Sequence, residues 1–427
     1  NPSGPGYKTP ADAMKGPREK ILYVACIQPY PEEKKSPDYI ATVDVDPSSP
    51  SYISCCNDAT KKRNKIIVPA LGSDRIHIFS VDDPKAPKLI KVIQPEEVHA
   101  LNASALHTTH CLPSGDIMIS AMGDGTGEGL CVWTDQENIK PAKFGYDFWY
   151  QPYWDTMISS EWGIPNKFKP MIYFAEIYGR SLNVFSWSKR KLTQIINLGP
   201  EGITPLELRF LHEPTAAEGF VGCGYPGHIF RFFRKDDGSW DAEKVIHIPK
   251  KKVIGHAEPE IGGMTLDIVI SMDDRFLYTN NWMHGDVCQY DITDTRHPKL
   301  VGQIFLGGKL LKDGPLKLID EEQPEPVYVK GRKLDGAPQM MQLSLDGKRL
   351  YVSTAVFTPW DKQFYLEHVN NGSTLVKVDV NTETGGLTLD PDFLVDFGKE
   401  PNGPILAHEI RYPGGDCTSD IFMKQPE

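Results

Sequence analysis

Apolar residues recur at every second position in short stretches along most of this chain, and each stretch ends in a cluster of Gly, Asp, Asn or Pro. Alternation of this kind predicts half-buried β-strands joined by tight turns. The stretches also repeat as a unit. Residues 343–357 (LSLDGKRLYVSTAVF) and 375–389 (LVKVDVNTETGGLTL) form one such unit, and residues 270–308 form another. In each, an inner strand meets an acidic or Gly hairpin, a second strand follows, then a third ending in an Asp-bearing corner, then an outer fourth. The same order is present at residues 110–134, at 148–165 with 181–198, and at 208–249. A less complete copy occupies residues 65–93, which makes six units.

A seventh unit is expected to be split. The strands at residues 20–28 and 38–46 need a partner, and residues 407–423 (AHEIRYPGGDCTSDIFM) can supply it. Joining both ends in one sheet hides two edges that an open array would leave exposed. The expectation is therefore an all-β chain: a single seven-bladed β-propeller domain over residues 1–427, closed by strands from both termini. The 37 Gly and 35 Pro agree, since that many breakers exclude long helices.

Composition narrows the function. A net charge of −11 argues against a nucleic-acid partner, because phosphate binding needs a basic patch. No apolar run approaches the ~20 residues that span a bilayer. The eight cysteines are scattered apart from Cys55-Cys56, which reads as a reduced, cytosolic chain and not a disulfide framework. The Gly-rich GDGTGEG run lacks the Lys and helix of a phosphate loop, and no Gly-x-Ser-x-Gly elbow is present.

Longer strings are more specific. GPGYKTPADAMKGPREKILYV, PDYIATVDVDPSSPSY, LHTTHCLPSGDIMIS, GYDFWYQP, PLELRFLH, NWMHGDVCQYDI, PQMMQLSLDGKRLY and DFLVDFGKEPNGPILAHEIRYPGGDCTSDI follow one another collinearly. Together they resemble the eukaryotic selenium-binding proteins over nearly the whole chain. That resemblance implies a copper-dependent methanethiol oxidase activity, converting methanethiol, dioxygen and water to formaldehyde, hydrogen sulfide and hydrogen peroxide. It also implies a cytosolic place, with the nucleus and membrane periphery as further sites and with protein partners. The chain departs from the family pattern after Ile53. There the pattern carries a further stretch with a His-His-Ser-Gly-Trp motif and the first half of a Cys-Ser-Ser-Cys motif, of which Cys55 matches the second cysteine. Shorter losses lie near residues 133–144 and near Lys169. Either the chain lost these segments or its residues run across gaps in a longer one.

Copper takes imidazole and soft sulfur ligands. His107 and His110 stand at the entry to an inner strand, where residues three apart face opposite sides unless the backbone bulges. His408 holds the same place in the last inner strand, and His284 lies in a loop that can reach a face of the ring. These four are the expected metal ligands. His212, at the end of an inner strand, is a weaker candidate, and the other histidines are read as structural or exposed. Asp147, Glu207 and Asp267 begin inner strands and are the candidate catalytic carboxylates. Such a group can also orient a ligating imidazole or form a plain cross-blade hydrogen bond. Cys55 and Cys56, beside Lys61, Lys62 and Arg63, are the candidate selenium or thiol site. Two other functions compete: a selenium-binding carrier or scaffold in redox sensing or protein transport, and a lactonase with calcium held by carboxylates.

Overall fold

The computed structural model describes residues 7–49, 64–111, 117–126, 142, 144–167, 175–413 and 415–424. Cys55 and Cys56 lie outside the described residues.

The chain runs as successive antiparallel sheets. Strands β1 (Ile21–Ile27) and β2 (Tyr39–Asp44) pair first, followed by a three-stranded sheet of β3 (Lys65–Pro69), β4 (Ile76–Ser80) and β5 (Lys88–Ile93). Next come β6 (Ser104–Cys111) with β7 (Ile117–Gly123), then β8 (Phe148–Gln151), β9 (Thr156–Ser160), β10 (Ser181–Ser186) and β11 (Lys191–Asn197). The following sheet holds β12 (Pro205–Phe210), β13 (Glu218–Cys223), β14 (His228–Arg234) and β15 (Trp240–His247). Short strands β16 (Lys251–Ile254) and β17 (Glu260–Ile261) precede the sheet of β18 (Ile268–Ile270), β19 (Phe276–Asn281), β20 (Asp286–Asp291) and β21 (Lys299–Phe305). β22 (Lys317–Leu318) pairs with β16, and β23 (Tyr328–Val329) with β24 (Arg332–Lys333). The final four-stranded sheet holds β25 (Met341–Leu343), β26 (Arg349–Ser353), β27 (Thr374–Val380) and β28 (Leu387–Asp396). The last strand, β29 (Leu406–Arg411), pairs antiparallel with β1, so strands from opposite ends of the chain share a sheet as expected.

Local chemistry repeats with the sheets. At the hairpin after β18, the Ser271 hydroxyl bonds Asp273 and accepts the Phe276 N–H at 2.9 Å. After β25, Ser344 does the same with Asp346 and the Arg349 N–H at 3.0 Å. Gly347 supplies the positive φ (74°) that the second hairpin needs.

From β8 onward, successive four-stranded sheets bury apolar faces against one another and finally against β1, β2 and β29. Phe148 and Trp149 pack with Leu208, Phe210 and Phe232, and Phe220 and Ile229 pack with Ile268 and Leu277. Val269 and Phe276 meet Leu343 and Val352, while Tyr351 and Leu375 meet Leu22, Val24 and Ala407. The first strands also adjoin in succession: β8 with β12, β12 with β18, β18 with β25, and β25 with β29. Sheets stacked face to face with their first strands side by side make a β-propeller-like arrangement. Among the described residues, no helix is long and apolar enough to cross a membrane.

Candidate functional site

The first strands converge on one cavity of about 740 Å³. His107 and His408 border it, as do Glu207, Asp267, Arg209 and Arg411. Two of the expected catalytic carboxylates and two of the expected histidines thus share one space, although their sequence positions span most of the chain.

The backbone of β6 decides what His107 and His110 face. Ala105 has a positive φ (52°), and the β6–β7 register shifts between Leu106 and Thr109. This is the bulge that the spacing required. His107 turns to the cavity and stacks on Tyr146, with ring centroids 4.1 Å apart. His110 returns to regular pairing opposite Met118 and does not border the cavity. It is wedged against the edges of Phe148 and Trp149, and its Nδ1 lies 3.3 Å from the Ser419 carbonyl. A carbonyl only accepts, so Nδ1 donates there and Nε2 keeps a buried, unpartnered lone pair. Burial pushes both His107 and His110 down to about 4, so both rings are neutral at pH 7.

His408 is fixed by the same device: its Nδ1 donates to the Ala355 carbonyl at 2.7 Å, leaving Nε2 to face a ligand. His284 lies elsewhere, with Nε2 3.2 Å from the Ile261 carbonyl, and it does not border this cavity. His212 bridges the Ser271 and Cys417 carbonyls, both at 3.1 Å, and also meets Asp274. That is a tie between segments, away from the cavity.

Beneath the imidazoles lies a buried charge network. Arg209 Nη1 donates to Asp147 at 2.6 Å, and its Nη2 donates to Glu207 at 2.7 Å. Asp147 also accepts the Leu208 N–H at 2.9 Å. Although burial opposes its charge, Arg209 and that N–H hold Asp147 below the usual carboxylate range. Burial, then the charge of Asp147, pushes the Glu207 carboxyl well up. Asp267 accepts the Met341 N–H at 2.7 Å, and burial pushes its carboxyl up to about 7. Asp147 itself stands behind Arg209 and does not border the cavity.

The donors partly match the expected copper. His107 and His408 offer two imidazole nitrogens on one cavity, and imidazole suits copper. Among the described residues, no group of three His, Cys, Asp or Glu side chains comes together to hold a metal.

Three participants were missed in the sequence. His77 sits on β4, read as structural, yet it borders the cavity because no described strand lies inside β3. Glu409 and Arg411 form a second ion pair, at 3.1 Å, on the cavity wall. A signal for them existed: Glu409-Ile-Arg411-Tyr412 repeats Glu207-Leu-Arg209-Phe210 at the same place in another first strand.

The 56 kDa selenium-binding protein family model matches residues 1–55 and 53–423, in two pieces that meet between β2 and β3. A protein of Xenopus tropicalis called methanethiol oxidase is 52% identical over 98% of both chains, and one of Homo sapiens with the same name is 49% identical over 98% of both. These alignments run over 466 positions against the 427 residues of this chain, so segments present in the relatives are absent here. A crystal structure described as a hypothetical selenium-binding protein from Sulfolobus tokodaii is 32% identical, covers 100% of both chains and superposes with a TM-score of 0.83. A periplasmic gluconolactonase of Pseudomonas aeruginosa, 12% identical with a TM-score of 0.54 over 92% of this chain and 99% of its own, shares the fold alone. The chain belongs to the 56 kDa selenium-binding protein family.

Proposed function

We propose that this chain is a methanethiol oxidase working at copper held by His107 and His408, in the channel of a single seven-bladed propeller. The reaction converts methanethiol, dioxygen and water to formaldehyde, hydrogen sulfide and hydrogen peroxide. The blade count rests on seven of the nine antiparallel sheets among the described residues, the short β16–β17–β22 and β23–β24 sheets being left out as inserts, with β29 joined to β1. The activity rests on full-length relatives that carry that name. One observation carries the site: two histidines some 300 positions apart border a single cavity, one a neutral imidazole and the other with a fixed tautomer.

Copper, when bound, supplies a soft site for a thiol and a route for electrons to dioxygen. The chain's own groups do the rest. Burial keeps His107 unprotonated, so its lone pair is free for a ligand. The Ala355 carbonyl sets the tautomer of His408. Asp267, with its carboxyl near 7, exchanges a proton at neutral pH, which suits it to general acid–base work. At the cavity wall Arg209 joins Asp147 to Glu207, so Asp147 positions Glu207 through that guanidinium.

His107→Ala and His408→Ala test this. Each is expected to lose bound copper by metal analysis and to drop methanethiol-dependent peroxide to background, with the far-ultraviolet spectrum retained. Unchanged turnover in both variants removes these residues as ligands. The family description favours selenium binding as the second reading; selenite retained by copper-free protein that never oxidises methanethiol would select it.

A further inference from the structure

His107 turns to the cavity where β6 leaves regular pairing, and that departure is gripped from both sides. Leu106 lies opposite Ala121 and Thr109 opposite Ile119, so His107 and Thr108 stand against Ser120 alone. On the entry side, Ala105 takes a left-handed backbone (φ 52°), which a residue with a side chain seldom adopts. Its N–H donates to Asp74 Oδ1 at 2.6 Å. Asp74 is itself fixed. Its Oδ2 lies 2.8 Å from His99 Nε2, and its own N–H donates to the Ala70 carbonyl at 2.9 Å. Ala105 is buried, so removing the carboxylate would strand its N–H away from water. On the exit side, the Thr108 N–H donates to Ser120 Oγ at 2.9 Å. The same hydroxyl donates to the Tyr146 carbonyl at 2.6 Å. Tyr146 carries the ring on which His107 stacks. One hydroxyl therefore ties the bulge to the platform beneath the imidazole.

We infer that Asp74 and Ser120 are positioning residues for His107, holding the bulge that turns its imidazole into the cavity. Neither touches metal or substrate. Groups that aim a metal-binding imidazole usually bond the ring itself. Here the backbone is held instead, two residues before the ring and one after it. Their value to catalysis rests on the copper-oxidase reading; their hold on the ring does not.

The test compares full-length variants. Asp74→Gly removes the carboxylate and still permits the positive φ (53°) at that position, whereas Asp74→Asn keeps an oxygen for the Ala105 N–H. Ser120→Ala removes the second grip and leaves the turn of Asp74 untouched. Crystal structures of the copper-free variants give the first readout. In Asp74→Gly and Ser120→Ala the His107 ring should leave Tyr146, where the centroids now stand 4.1 Å apart, and in Asp74→Asn it should stay. Copper affinity, read by competition with a chromogenic chelator, should fall about 10–100-fold in the first two variants, the usual loss when the support of a ligand is removed. In Asp74→Asn it should match the wild type. A ring that stays on Tyr146 in both Asp74→Gly and Ser120→Ala overturns the inference. Should Asp74→Gly fail to fold, Ser120→Ala decides by the same readout. Wild-type protein that binds no copper and oxidises no methanethiol overturns the oxidase reading instead, and a displaced ring in the metal-free variants would still identify Asp74 and Ser120 as the groups that aim His107.

Discussion

The sheets β18–β21 and β3–β5 share one hairpin grammar but differ in cover. β19 is buried along its whole length, as is β26 in the neighbouring sheet. No residue of β3 or β4 is fully buried. Both kinds of sheet alternate, pair antiparallel and turn through Asp- or Gly-bearing corners, so strand propensity does not separate them. Position does. A middle strand in this fold is buried only when an inner strand, an outer strand and two flanking sheets all cover it. Where no described inner strand covers it, the same alternation gives only partly buried strands.

The largest consequence is energetic. Phe220 on β13 is fully buried between two complete sheets. Phe220→Ala is expected to cost about 3–5 kcal/mol, the usual loss for a core aromatic. Phe79→Ala, on half-buried β4, should cost about 1–2 kcal/mol, since much of its area is already open. Denaturant midpoints of the two variants measure the contrast. Equal losses would mean that β3–β5 packs as tightly as a complete sheet.

Protonation sharpens the same contrast from the other side, because several buried, shifted groups sit on or beside first strands. His107 and His110 are held down to about 4, against an ordinary value near 6.5. Their neutrality favours the folded state fully above pH 6.5. As pH falls from there toward 4, the unfolded chain takes up protons that the folded one refuses. Stability should then fall by up to about 1.4 kcal/mol per pH unit for each histidine. Asp267 has the opposite sign: raised to about 7, it favours folding fully only below its ordinary carboxylate value, and that contribution is lost as pH rises through 7. Stability of copper-free protein should thus peak in mildly acidic solution. His110→Gln should lower the acid-side slope by up to about 1.4 kcal/mol per pH unit, and an unchanged slope would show that His110 is not buried as a neutral ring.

Much of this was legible in the sequence, for physical reasons that differ by element. Alternation and hairpin chemistry are local, so the sheets and the β1–β29 partnership could be read from residues 20–28 and 407–423. The convergence of His107, His408, Glu207 and Asp267 followed from one rule, that first strands meet at the axis. The separation of His107 from His110 did not follow, because it depends on where the backbone bulges, at Ala105 to Thr109. The spacing showed that a bulge was needed and not which ring would face the cavity. His77 was missed because it lies on an outer-looking strand, and among the described residues no inner neighbour separates that sheet from the cavity. The departure from the family pattern at Ile53-Ser54 hinted at this, but its effect is tertiary.

The smallest expected effect concerns motion. A sheet whose strands are only partly buried should open without the rest of the molecule, since few buried apolar groups hold its hydrogen bonds from water. Amides of β3 and β4 are therefore expected to exchange with solvent faster than those of β19 and β20. They should also respond little to Phe220→Ala, because they exchange through a local opening whose free energy does not include the distant core. Amides of β19 exchange through global unfolding and should speed up by the full loss that the variant causes. Mass-resolved hydrogen exchange reads both sheets in one experiment. If β4 instead slows and speeds in step with β19, the two sheets open as one unit, and the partial burial of β3 and β4 does not loosen their sheet.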